Sequence, residues 1–406
     1  MQQVLFAGYP DALNNANATE YNAVAGGYTW IAAVTSRSQV VAANGKLKNL
    51  YVELDNTVGA ADDTYIFTLM YDGAASALTC TIQAGASSGN DTAHEIDVVA
   101  GKLICLRVVS AHNPTNSPNA QWSMMFSGTT AKESLILGNG VAYTATNYLC
   151  LSDGFGINMG FDVFARQVIP TSGTIKNLYV SENTGAGTGT WSIAVTKNGV
   201  AQTLSCNVTV AAPTNNDIVN SFNVVAGDTV SLLVTVSGSI TSQGYLNYGC
   251  TFVSNTDGES ILLDSRSSSN LDTANTKFSA LSTPYVQTAW DATETNAQQL
   301  GQICVLKKLY VLLSGTPDNG AGTQSYTFTV RNNTGSTAIT TTISEAATTG
   351  NDTTNTATLA AGDNVALMCV PSGTPTARNA FWGLVCYIDP FPYIPKINYY
   401  VKLLAQ

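Results

Sequence analysis

The chain states one pattern three times. Lys48-Asn49-Leu50-Tyr51-Val52 returns as Lys176-Asn177-Leu178-Tyr179-Val180 and again as Lys307-Lys308-Leu309-Tyr310-Val311, about 130 residues apart each time. A second marker keeps step with it. Val99-Ala100-Gly101-Lys102-Leu103, Val225-Ala226-Gly227-Asp228-Thr229 and Ala360-Ala361-Gly362-Asp363-Asn364 each follow the first by about 50 residues. Two markers at matched offsets specify a tandem triplication, and a period this long means three whole domains rather than a solenoid of small units. The copies run over 1–127, 128–254 and 255–388, with a tail, 389–406, outside the repeat. Each copy is long enough to bury its own core without disulfides or metals.

Inside a copy, apolar side chains alternate. Tyr65, Phe67 and Leu69 point one way, as do Trp191, Ile193 and Val195, and then Tyr326, Phe328 and Val330. Period two with aromatic and β-branched residues predicts half-buried strands. Asp72-Gly73 and Asn198-Gly199 predict two-residue hairpin turns, because both pairs tolerate positive φ. The third copy carries Asn332-Asn333-Thr334-Gly335 there, read as a longer loop. A polar loop retaining Asn90-Asp91, Asn216-Asp217 and Asn351-Asp352 follows, and each copy closes on an aromatic-bearing strand at 122–126, 248–252 or 382–387. About eight strands per copy and nothing longer than a turn or two of helix predict an all-β fold: three tandem antiparallel sandwiches of jelly-roll type. An immunoglobulin-like sandwich is the alternative, but it needs only about 100 residues. Tryptophans 122, 191 and 382 are assigned to the cores.

The copies differ most between their opening strand and the Leu-Tyr-Val strand, through Asn14-Asn15-Ala16-Asn17, Asn139-Gly140-Val141-Ala142 and Ser267-Ser268-Ser269-Asn270. Divergent loops on a shared scaffold are where specific contacts evolve. The tail has no counterpart in the other copies. Its prolines favour an extended course, and Phe391, Tyr393, Ile394, Tyr399, Tyr400 and Leu403 are the candidate anchor to a partner. Packing on the chain's own domains is the competing reading.

Only 11% of residues are charged, against about 25% in an ordinary soluble domain. The net charge of −10 and the scattered Lys and Arg argue against nucleic acid as a partner. No basic-then-apolar leader and no apolar run of membrane-spanning length is read, so no membrane association is expected. The eight cysteines lack metal-type spacing and do not pair within copies, which predicts buried free thiols and folding in a reducing compartment. The two histidines, His94 and His112, occur only in the first copy and have no nucleophile-elbow or zinc-motif context. Asp55, Asp62 and Asp63 are weighed as Ca²⁺ ligands against solvated turn acids, and the latter is preferred. The recurrent Asn-Asp and Gly-Asp pairs are read as turn chemistry. No catalytic residue, cofactor or metal is assigned, and no enzyme activity is expected.

The Leu-Tyr-Val strand, the Asn-Gly hairpin and the Ala-Gly-Asp turn resemble the jelly-roll domains of tailed-bacteriophage surface proteins. That group is broadly similar to the complement-C1q and tumour-necrosis-factor fold. The resemblance spans the three copies and not the tail. It implies threefold association, so that three copies in one chain form an intrachain pseudo-trimer, with linear beads as the alternative. It implies a structural virion protein whose partners are other virion proteins, such as a capsid decoration or minor capsid protein. A tail-fibre or cell-surface adhesin that binds host glycans through the divergent loops is the alternative.

Overall fold

The computed structural model describes residues 1–60, 62–153, 160–266, 269–282, 290–320 and 322–390. The anchor candidates Phe391, Tyr393, Ile394, Tyr399, Tyr400 and Leu403 lie outside the described residues.

The first copy contains β1 (Gln2–Ala12), β2 (Thr19–Asn22), β3 (Gln39–Val40), β4 (Gly45–Leu54), β5 (Thr64–Tyr71), β6 (Ala74–Gln83), β7 (Ser88–Val98), β8 (Leu103–Ala111) and β9 (Asn119–Gly128). One antiparallel sheet has the order β1-β9-β4-β7, and the facing sheet the order β2-β8-β5-β6 with the two-residue β3 on β8. Eight main strands crossing between two four-stranded sheets in this order form a jelly roll. The second copy repeats it. Glu133–Ala142, Gly244–Ser254, Gly173–Asn183 and Thr214–Val224 make one sheet, facing Asn147–Leu149, Thr229–Ser237, Thr190–Lys197 and Val200–Thr209. The third copy does so with Glu259–Arg266, Ala380–Tyr387, Cys304–Leu313 and Thr349–Leu359 facing Lys277–Ser279, Asn364–Ser372, Ser325–Asn332 and Gly335–Ser344.

The cores follow from the alternation. Tyr65, Phe67 and Leu69 are fully buried, as are their counterparts Trp191, Ile193, Val195, Tyr326, Phe328 and Val330. Trp122, Trp191 and Trp382 are among the largest fully buried side chains. All eight cysteines are buried free thiols. Burial, reinforced by Asp91 and Asp217 respectively, pushes the Cys80 and Cys206 thiols up to about 12, so neither carries thiolate reactivity at neutral pH.

The repeated Lys-Asn-Leu-Tyr-Val signature encodes a β-bulge. Asn49 has φ 54°, and pairing jumps from Lys48 opposite Glu95 to Leu50 opposite Asp91. The extra residue returns Leu50 to the inner face with Leu47, so both are buried. Asn177 and Lys308 have φ 56° at the equivalent positions. Asn tolerates this left-handed conformation through local hydrogen bonding, whereas Lys308 is held there by side-chain partners described below.

Two sequence expectations are corrected. The Asn-Asp pairs do not mark a loop: Asp91, Asp217 and Asp352 lie inside the edge strands Ser88–Val98, Thr214–Val224 and Thr349–Leu359. Each carboxylate patches the bulge. Asp91 accepts the backbone N–H of Thr79 from the facing sheet (2.9 Å) and those of Ala93 and His94 (3.1 Å each). Asp217 and Asp352 accept the equivalent groups of Ser205 and Thr340, and of the residues two and three positions ahead. The third hairpin is also no longer than the others. Asn332 pairs with Gly335, and Asn333 and Thr334 take φ 48° and 63°, so Thr334 replaces the glycine of the other turns.

The copies close on one another in a cycle. The opening strands carry apolar side chains on both faces. Leu5, Ile136 and Leu262 point into their own cores. The residues flanking them point into a neighbour's core: Val4 and Phe6 into the third copy, Leu135 and Leu137 into the first, Ile261 and Leu263 into the second. A second set of contacts repeats the pairs. β3 packs on Gly244–Ser254, Gln167–Val168 packs on Ala380–Tyr387, and Gln299–Leu300 packs on β9. First meets second, second meets third, third meets first. The result is a pseudo-threefold ring within one chain.

Candidate functional site

The most heavily constrained polar chemistry lies at the three seams of this ring. In each copy one glutamine pins the stretch that diverges most among the copies. Gln39 Oε1 accepts the N–H groups of Val24 and Ala25 (3.0 Å each), and its amide donates to Ala25 O and, across the seam, to Asp153 O. Gln167 clasps Ser152, and Gln299 clasps Leu281 and Ser282. An aromatic completes each clasp: Trp122 donates to Ala23 O, Tyr248 to Cys150 O and Trp382 to Leu281 O. Trp30 and Trp290 pack on Trp122 and Trp382 at 5.1 and 5.5 Å between ring centroids. Much of the divergent stretch is therefore interior architecture. The glutamines and these two tryptophans were missed from sequence, although the same Trp-to-Gln spacing recurs in both copies (30 and 39, 290 and 299).

The seams differ in chemistry. Between copies one and two the contacts are neutral: Gln3 exchanges two hydrogen bonds with the Leu135 backbone (2.7 and 2.8 Å), and Thr251 Oγ1 donates to Ala42 O (2.8 Å). Gly249 is required there, since a Cβ would collide with the Val40 carbonyl oxygen, and Gly383 meets Val168 in the same way at the next seam. At the seam of copies two and three the third copy carries a buried ion-pair cluster, and Thr171 of the second copy joins it. Glu259 is 1% exposed and bonded to Lys307 (2.9 Å), Lys308 (2.7 Å) and Thr171 (2.7 Å). Burial opposes its ionisation, but these donors outweigh burial and hold the carboxyl below its ordinary range.

Between copies three and one, Gln302 donates to Asn49 O (2.9 Å) and to Ser123 Oγ (3.2 Å). A polar cleft of about 660 Å³ opens beside this contact, lined in part by Glu53, Asp55, Gln121, Gln298 and Asn364. An equivalent cleft of about 450 Å³ at the seam of copies one and two is lined by Lys102, Asp72, Tyr179 and Ser181. A third groove, about 540 Å³, is apolar and bordered by Met1, Met125, Ile303, Tyr387 and Pro390.

The residues singled out from sequence have structural partners. His94 Nδ1 lies 2.9 Å from the Asp91 carboxylate, and His112 Nδ1 lies 2.7 Å from Asp62 O on the surface. The structure does not bring the two together. Asp55, Asp62 and Asp63 are not convergent either. Asp63 is buried, and one of its oxygens accepts from Thr115 N, Thr115 Oγ1 and Ala60 N. Asp55 accepts both the N–H and the amide of Asn119. The Gly-Asp turns are self-capped: Asp228 accepts Val225 N and Asp363 accepts Ala360 N, and both also bind the hairpin asparagines. In the first copy the charges are exchanged, with Lys102 reaching Asp72 at 2.7 Å. Among the described residues no group of three His, Cys, Asp or Glu side chains is placed to hold a metal.

No protein-family model and no curated protein matches this sequence.

Proposed function

We propose that this chain is a non-enzymatic structural virion protein of a bacteriophage, seated on the capsid as a decoration or minor capsid protein. The observation that carries the reading is the closed ring of three jelly rolls in one chain. A pseudo-threefold body with three unequal lobes suits a threefold or quasi-threefold position on a lattice. Covalent linkage makes closure intramolecular, so the ring does not depend on protein concentration. The repetition supports the same reading: strands, bulges, clasps and turns recur, and they build shape. The partners on this reading are capsid subunits, with the tail after Pro390 as the anchor.

Co-sedimentation of the purified protein with undecorated capsid shells tests the proposal. Saturable binding at a fixed copy number supports it, and a chain ending at Asp389 should bind more weakly. Failure to bind shells, combined with binding to host cells, favours the adhesin reading. One feature supports that second reading: Phe161, 68% exposed, stands on the divergent stretch of the second copy.

A further inference from the structure

The apolar groove at the seam of copies three and one sits where the ring has no covalent link. Gln2 faces Ser127 as Glu133 faces Val253 and Glu259 faces Tyr387, so these three residues open their copies equivalently. Residues 129–132 and 255–258 carry the chain from one copy into the opening strand of the next. Each linker is tied down as it leaves: Thr129 N–H donates to Asn44 O (3.0 Å) and Asn255 N–H to Ser172 O (3.1 Å). The third copy is followed by the tail, and its last described residues, Tyr387 to Pro390, border the groove together with Met1 and Gln2.

The third copy also departs from the others at the residue that receives the linker. Ile303 stands four positions before Lys307, as Asn44 does before Lys48 and Ser172 before Lys176. It is 67% exposed and lines the same groove, with Met125 and Val305. An isolated exposed aliphatic needs no explanation, but one that replaces a polar residue beside an apolar groove does. The tail supplies a match. It opens Phe391-Pro392-Tyr393-Ile394-Pro395, three large apolar side chains among prolines that favour an extended course. At up to about 3.5 Å per residue, these residues reach about 17 Å from Pro390, which is itself on the rim.

We propose that residues 391–395 of the same chain occupy this groove, taking the place that the linkers hold at the other two seams. The inference is independent of the virion reading. It assigns Phe391, Tyr393 and Ile394 to the ring and leaves Tyr399, Tyr400 and Leu403 for an outside partner.

The test uses the full chain carrying the photo-reactive residue p-benzoylphenylalanine at position 393. Irradiation should give an intramolecular cross-link that mass spectrometry maps to residues 1–2, 125 or 303–305. Ile303→Asn installs the first copy's residue at an exposed position, so its thermal midpoint should stay near that of the parent while the cross-link yield falls at least about fivefold. Without the photo-reactive residue, chymotryptic cleavage after Tyr393 should be at least about tenfold slower in the parent than in Ile303→Asn, with cleavage after Tyr400 unchanged, because cleavage tracks the population of the undocked segment. Cross-links that map outside the groove, or that join two chains, overturn the proposal. So does equal cleavage after Tyr393 in parent and variant.

Discussion

Phe6 and Leu5 are adjacent in β1, yet their removal should damage opposite lobes of the molecule. Leu5 is 3% exposed and packs in the core of its own copy, whereas Phe6 is 1% exposed and packs in the core of the third. Truncating a buried Phe to Ala costs about 3–5 kcal/mol, and a buried Leu about 2–5 kcal/mol. At about 4 kcal/mol the opening equilibrium of the affected core rises nearly a thousandfold. Native-state hydrogen exchange read by mass spectrometry resolves which core that is, because protection reports the local opening free energy.

In Phe6→Ala the faster exchange should appear in Cys304–Leu313 and Ser325–Asn332, some 300 residues away in sequence. In Leu5→Ala it should appear in β4 and β5. The ring closure is refuted if both variants loosen the first copy alone, or if Phe6→Ala leaves the third copy's protection unchanged.

Three further outcomes follow from the seams and bulges. Gly383→Ala drives a methyl group into the Val168 carbonyl and should destabilise the seam of copies two and three by about 1–3 kcal/mol, read as a lower urea midpoint. Ser123→Gly, at the corresponding place on the third seam, should cost less. Lys308→Asn substitutes the residue of the other two copies and removes one donor from buried Glu259. With Lys307 still in place the loss should be about 2 kcal/mol, below the usual cost of breaking a buried pair outright; an unchanged midpoint refutes the ion-pair cluster. On acidification, Asp91, Asp217 and Asp352 have folded pKa values below the unfolded value of about 3.9. Burial opposes their ionisation, but backbone and amide donors prevail, lowering Asp352 to about 2. Their contribution is therefore full above pH 4 and lost as pH falls toward 2, about 2 kcal/mol for Asp352 alone. A stability profile that is flat from pH 4 to pH 2 contradicts this.

The strands, the first two hairpins and the core tryptophans were legible because each is a local signal: period two, or a pair of residues that accepts positive φ; the third turn, with Thr334 in the glycine position, was not. The bulge was visible only as a repeated word. Asn49 and Asp91 stand about 40 residues apart in sequence, and nothing local shows that one bends the strand while the other repairs it. Reading Asn90-Asp91 as a loop failed for that reason: the polarity is real, but the carboxylate is committed to backbone donors within a strand. Ring closure had a signal that composition alone does not decode. Val4-Leu5-Phe6, Leu135-Ile136-Leu137 and Ile261-Leu262-Leu263 are continuous apolar runs, the pattern of a strand buried on both faces. A single sandwich buries only one face of its outer strand, so the other face had to meet a neighbour. The seam clefts left no trace, because Glu53 and Asn364 are 311 residues apart and meet only when the third copy returns to the first.

The differences between the seams bear on why three copies share one chain. A homotrimer has one seam repeated three times, so any residue placed there appears at all three. Here Thr171 meets Glu259 and Lys308 at one seam, the Gln3–Leu135 exchange occurs at another and the Glu53–Asn364 contact at the third. The seam of copies three and one joins the copies farthest apart in the sequence. It also has a cleft of about 660 Å³, against about 450 Å³ at the seam of copies one and two. Triplication thus supplies the shape, and divergence makes each of its three seams chemically distinct.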